Sequence, residues 1–155
     1  MEFGVLNLIQ SLPGQGASSG ELIDLEDLVG GNPFLVTCTL ANNGLSLTTE
    51  DALTDTGANG YLFISVKFAR RLLKLLGVKQ YGVKQSFGAT GFDKKSSQVM
   101  DAVVKAHLMI QGRTILNELF VVLDITHDII IGRQWLERHK VLPDPGGKRL
   151  LFAEG

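Results

Sequence analysis

ALTDTGANGYLF, residues 52–63, decides how this chain is read. Ala52-Leu53 passes through Thr54 into Asp55, and the chain then meets Thr56, Gly57, Ala58 and Asn59. A carboxylate at the end of an apolar run has two readings. In an Asx turn, the side chain caps its own backbone two residues on, and a glycine eases the bend. In an acid/base site, Asp55 is held rigid in a dry place, Gly57 gives room for a tight turn and Thr56 locks that turn through its hydroxyl. The tripeptide alone leaves both open.

The flanks are β in character. Phe34, Val36, Cys38 and Leu40 alternate onto one face, and ANNG (41–44) is a hairpin signal because Asn and Gly tolerate positive φ. LSLTTEDALT (45–54) returns as a second strand that delivers Asp55. ISVKFARRLLKLLG (64–77) switches to a helical period, with Ile64, Phe68, Leu72 and Leu75 on one stripe and Gly77 as the stop. Lys67, Arg70, Arg71 and Lys74 fall on the other face, which reads as solvated surface. KQSFGATGFDKKS (84–96) has the chemistry of a mobile hairpin tip. Met100 to Ile110 alternates as a long half-buried strand, QGR (111–113) turns it, and TILNELFVVL (114–123) answers it. HDIIIGRQWLERHK (127–140) reads as a short buried strand breaking at Gly132 into a short helix, and KRLLFA (148–153) as a last strand. The fold class expected is all-β with two helices.

Bulk properties bound the function. The chain has 155 residues, 45% hydrophobic and 20% charged, with net charge −1. That suits one folded domain and argues against a surface that grips nucleic acid by counterion release. Residues 1–32, with SLPGQGASSG (11–20) and the acidic ELIDLEDL (21–28), read as a flexible tail, and 33–155 as the folded domain. Residues 21–28 also fit a helical turn capped by Ser18 with Glu21 behind it. Cys38 is the only cysteine, so no intrachain disulfide forms, and on its apolar strand face it reads as a buried free thiol. No apolar run approaches the ~20 residues of a membrane span, and MEFGVLNLIQ lacks the basic start of a signal peptide. A cytoplasmic setting is expected. His107, His127 and His139 lack ligand spacing and read as structural, so no metal and no cofactor is expected.

A second motif changes the reading of the first. Asp55-Thr56-Gly57-Ala58, then a glycine-rich stretch at 87–92, then Ile130-Ile131-Gly132-Arg133 leading into a helix, resemble in order the retroviral-type aspartic proteases, the retropepsins, over roughly 33–153. The post-motif segment and IIIGRQWLERHKVLPD, through Trp135, Leu136 and His139, resemble the protease domain of fungal gypsy-type retrotransposon polyproteins. The ubiquitin-shuttle proteases of the DNA-damage-inducible family are the rival relatives. The resemblance implies a closed barrel that acts as a homodimer on an extended polypeptide. Asp55 would be catalytic, with Thr56, Gly57, Ile131 and Gly132 supporting its loop. Ala58, Asn59, Gly88, Ala89, Thr90, Gly91 and Phe92 would meet the substrate. The activity implied is an aspartic endopeptidase that processes a Gag-Pol polyprotein, in the cytoplasm or within virus-like particles. A catalytically silent dimeric binding module of the same fold is the non-enzymatic alternative.

Two departures from the family pattern stand out. Thr54 occupies an aliphatic position, so its hydroxyl needs a partner if buried. Asn59 stands where a second aspartate is frequent, which leaves Arg133 a neutral hydrogen-bond partner instead of an ion pair. One Asp-Thr-Gly per chain also supplies only one of the two carboxylates that hydrolysis by aspartates needs, so a second copy must supply the other.

Overall fold

Strand β1, Leu35–Asn42, turns Val36, Cys38 and Leu40 into the core, because successive strand side chains face opposite ways. Asn43 and Gly44 follow with φ of 54° and 76°, the positive values that a tight hairpin between right-twisted strands requires. The chain returns antiparallel as β2, Leu45–Thr54. The computed structural model describes residues 20–25, 28, 33–89 and 98–153. Met1–Pro33 and Phe34–Gly155 form separate units. In the first, Leu28 N–H donates to Leu25 O at 3.0 Å, and Leu22, Ile23, Leu25 and Leu28 are exposed.

The second unit continues with β3 (Leu62–Ser65), α1 (Val66–Leu75), β4 (Gln80–Ala89), β5 (Gln98–Ile110), β6 (Arg113–Leu123), β7 (Ile129–Ile131), α2 (Arg133–Arg138), β8 (Val141–Asp144) and β9 (Arg149–Phe152). Six strands close a barrel in the order β1-β2-β7-β3-β6-β5, because Thr39–Ala41 of β1 also pair with His107–Met109 of β5. Strand β4 runs outside the closure along β5, and β8 and β9 make a separate hairpin. The three isoleucines of β7 are all buried. The strand lies between β2, to which it is parallel, and β3, to which it is antiparallel. A strand enclosed on both faces has no polar side to offer, hence an unbroken aliphatic run.

The helix after the Asp-Thr-Gly stretch begins later than its periodicity implies. Ile64 belongs to β3, not to the helical stripe. Leu62, Phe63, Ile64 and Ser65 are all buried, inserted between β6 and β7. Ser65 then caps the helix by accepting the Phe68 N–H at 3.0 Å, satisfying one of the orphan amides of the first turn. Phe68, Ala69 and Leu72 form the buried face. Leu75 is exposed and Leu76 takes the inward place instead. Gly77, at φ 65°, ends the element just past its cap. Lys67, Arg70, Arg71 and Lys74 face solvent. Strands β4 and β8 were not legible as strands.

The barrel interior and the helices share one apolar cluster that includes Leu40, Ile64, Phe68, Leu108, Phe120, Ile131 and Trp135. A second cluster, Ala58, Phe63, Leu123, Ile125 and Ile130, lies around the chain segment that follows Asp55. Cys38 is buried in the first cluster, and burial pushes its thiol up to about 12. It stays protonated at neutral pH and is no nucleophile.

Candidate active site

Asp55 sits where β2 ends, and its residue is only 4% exposed. Its N–H donates to Ile131 O at 3.0 Å, its carbonyl accepts the Ala58 N–H at 3.1 Å, and its Oδ1 accepts the Gly57 N–H at 2.9 Å. Of the two readings, the geometry shows the Asx turn directly. The carboxylate makes an Asx turn, and that turn holds it rigid at the end of an enclosed strand.

The loop is clamped to the segment after β7. Gly132 N–H donates to Tyr61 O at 2.9 Å, Arg133 N–H to Ala58 O at 3.0 Å and Gln134 N–H to Gly60 O at 2.9 Å. With the Asp55–Ile131 bond, these make four backbone hydrogen bonds between 55–61 and 131–134. Gly132 is required there by space. A Cβ on it would lie 2.4 Å from Gly60 O. Arg133 donates to Asn59 Oδ1, which adds a side-chain tie across the same pair of segments.

The expected site residues divide by location. Asp55, Thr56, Gly57, Asn59, Ile131 and Gly132 are brought together by the clamp. Thr56, Gly57 and Asn59 are exposed. Ala58 is buried against Phe63 and Ile130, so its methyl serves packing rather than an open substrate surface. In the mid-chain hairpin, Gly88 pairs with Val99 and Ala89 with Gln98. Thr90, Gly91 and Phe92, at the expected tip, lie outside the described residues.

Thr54 has the consequence its sequence position implied. It is 8% exposed, and among the described residues its Oγ1 has no hydrogen-bond partner. Replacing Thr54 with the near-isosteric Val removes an unsatisfied polar atom. That change is expected to stabilise the fold by about 1 kcal/mol, raising the thermal midpoint by about 2–4 °C. A lower midpoint in scanning calorimetry would mean that the hydroxyl finds a partner in the protein's working assembly.

A neighbouring brace holds the entry to β7. Asp51, in β2, accepts the Asp128 N–H at 3.1 Å and pairs with His127 Nδ1 at 2.7 Å. Asp128 in turn accepts the Thr49 hydroxyl at 2.7 Å.

Sequence reading missed Glu118, Tyr61 and Gly60. Glu118 is buried and accepts hydrogen bonds from Tyr61 and Trp135. The one signal was an acidic residue inside the apolar run TILNELFVVL, just after an asparagine.

No protein-family model and no curated protein sequence matches the chain. Among solved structures, it is similar to the crystal structure of the retroviral protease-like domain of Ddi1 from Leishmania major. The TM-score is 0.51 at 22% identity, over 79% of this chain and 89% of that one. At that identity the likeness speaks to the fold, and it agrees with the closure of the barrel. The fold of this chain is retropepsin-like, a closed β-barrel with Asp55 at the mouth of the loop that β7 and α2 hold in place.

Proposed function

We propose that this chain is a homodimeric aspartic endopeptidase in which Asp55 of two copies forms one site. The observation that carries the reading is the burial of Asp55 in a loop bonded on both sides, the Asx turn within and the β7 clamp behind. A solvated turn would not need that support.

In the proposed mechanism one Asp55 takes a proton from a water as its oxygen attacks the peptide carbonyl. The partner copy's equivalent carboxyl gives its proton to the carbonyl oxygen. The resulting gem-diol collapses with proton transfer to the leaving nitrogen. Two carboxylates so close cannot both be ionised, so the pair carries one proton at the start of the cycle. The mechanism needs one carboxylate and one carboxyl at the same time, so the rate profile should be bell-shaped. The β4–β5 hairpin would cover an extended substrate, which adds as a strand and presents alternate side chains to pockets.

The β8–β9 hairpin supports self-association. Leu142 and Leu151 are register partners, 70% and 42% exposed, and among the described residues β9 pairs only with β8. An apolar strand edge of this kind invites another chain. Specific activity is expected to fall as the enzyme is diluted below its dimer dissociation constant, in step with dimer loss by sedimentation. A monomer with full, dilution-independent activity would end the shared-site reading.

The biological role proposed is processing of a fungal gypsy-type retrotransposon polyprotein, on the strength of the pattern of Trp135-Leu136 in α2 and His139 just after it. A ubiquitin-shuttle type protease is the second reading, favoured by the likeness to the Ddi1 domain. Cleavage of a peptide library, with and without a hydroxyl-bearing transition-state mimic, tests the activity and excludes a silent binding module. Cleavage of a polyprotein junction against that of ubiquitin-linked chains separates the two roles.

A further inference from the structure

Glu118 lies inside the protein because of a local irregularity in β6. Asn117 has φ 58°, and the β5–β6 register shifts between Ala106 and Leu108. The Asn117 N–H, turned out of the ladder, donates to His107 Nδ1 at 3.1 Å. Before this bulge Ile115 packs against the core; after it Glu118 and Phe120 face inward. An extra residue thus reverses the parity of the strand, and the side chain it brings inside is a carboxylate. Bulges beside functional sites commonly re-aim one side chain in this way.

The carboxylate is 6% exposed and meets donors from two segments of chain. Tyr61 donates its hydroxyl proton to Glu118, with its oxygen 2.7 and 2.9 Å from the two carboxylate oxygens. Trp135 Nε1–H donates at 2.6 Å. His139 Nε2 stands 3.5 Å from Glu118 and 3.3 Å from the Tyr61 oxygen. Burial and the adjacent Glu118 push the Tyr61 phenol above its ordinary range, so it remains a donor. His139 Nε2 completes the cluster within reach of both oxygens.

The two segments that converge on Glu118 are the two that make the clamp. Tyr61 ends the Asp55 loop, and its carbonyl accepts the Gly132 N–H. Trp135 and His139 lie on and just after α2, which begins at Arg133. Rigid placement could come from apolar packing alone, and a buried carboxylate is a costly way to gain stability. What it adds is direction. A carboxylate accepts from several donors at fixed angles, whereas an aliphatic contact can slide.

We propose that Glu118 is a positioning residue for the candidate active site, tying Tyr61 to Trp135 and His139 so that the Asp55 loop and the start of α2 keep one alignment. In its catalytic arm this rests on the aspartic-protease reading; in its structural arm it does not. Two variants test it. Tyr61→Phe keeps the ring and removes one donor; Glu118→Gln keeps the shape and removes the charge.

Both variants should speed hydrogen exchange at the Gly132, Arg133 and Gln134 amides and leave the amides of β1 and β5 as in wild type. On a cleaved peptide, kcat per folded dimer should fall roughly 10- to 100-fold, since small misplacements of reacting groups are costly, with KM changed by less than about twofold. Local exchange that rises in a protein which hydrolyses no peptide upholds the hub and refutes the protease. Exchange that is unchanged at those three amides, or raised throughout the barrel, overturns the proposal whatever kcat does. So does a kcat equal to wild type in both variants of an active enzyme.

Discussion

Asp55→Asn is expected to abolish peptide hydrolysis while leaving the barrel folded and self-associating. The amide is nearly isosteric with the carboxylate. Its oxygen can still accept the Gly57 N–H that Asp55 Oδ1 accepts at 2.9 Å, and the backbone bond from residue 55 to Ile131 does not involve the side chain. The loop therefore keeps its shape. What is lost is the ability to take a proton from water or hand one to a carbonyl. In the proposed dimer the change removes both carboxylates at once, so the loss should be at least about 10³-fold. The check is peptide cleavage by the variant and wild type at equal dimer concentration, with dimer content read by sedimentation. Activity near wild type would remove Asp55 from the mechanism, and the fold likeness would then stand without the chemistry.

Gly132→Ala is expected to be strongly destabilising for a single added methyl. The glycine is not needed for its backbone conformation, since its φ is −89°, open to any residue. It is needed for space. The added Cβ would lie 2.4 Å from Gly60 O, 2.9 Å from Gly60 C and 3.2 Å from Ala58 O. All three atoms are backbone, so no side chain can rotate away. Relief requires the Asp55 loop and the 132–134 segment to separate. That strains the bonds from Arg133 N–H to Ala58 O and from Gln134 N–H to Gly60 O. Overpacking alone costs about 1–3 kcal/mol, and with two hydrogen bonds weakened we expect about 3 kcal/mol or more. Urea denaturation gives the stability, and peptide cleavage of the surviving folded fraction gives the functional cost. An unchanged midpoint with full activity would mean that the two segments lie farther apart than the clamp requires.

These two variants separate the site into its parts. Asp55→Asn removes chemistry and spares geometry; Gly132→Ala does the reverse. Glu118 stands behind the second, because it ties the outer ends of the same two segments.

The parts of this protein that were legible from residue order share a property: each is a local rule. Val36, Cys38 and Leu40 alternate because a strand has period two, and they are buried together. Asn43 and Gly44 turn the chain because they tolerate positive φ. The isoleucines of β7 announce an enclosed strand by being uninterrupted, and Gly132 announces where it stops. The catalytic candidate was readable for the same reason, since Asp55, Thr56 and Gly57 carry their meaning within three residues.

Tertiary structure decided what depends on a neighbour. Ile64 falls at helical spacing from Phe68, yet it is a strand residue because β6 and β7 offer hydrogen bonds on both sides of Leu62–Ser65. Leu75 has an apolar side chain and still faces water, since the helix turns Leu76 inward. Glu118 is the strongest case. By strand alternation from Ile115 it should point out; one bulge at Asn117 reverses the parity and buries it among Tyr61, Trp135 and His139. Sequence by itself determined β1, β2, β5, β6, β7 and β9, the turns between the early strands and the identity of the candidate acid. Which polar groups meet behind that acid was decided only by how the barrel closes, because hydrogen bonds between distant segments depend on register, and register is a property of the pair.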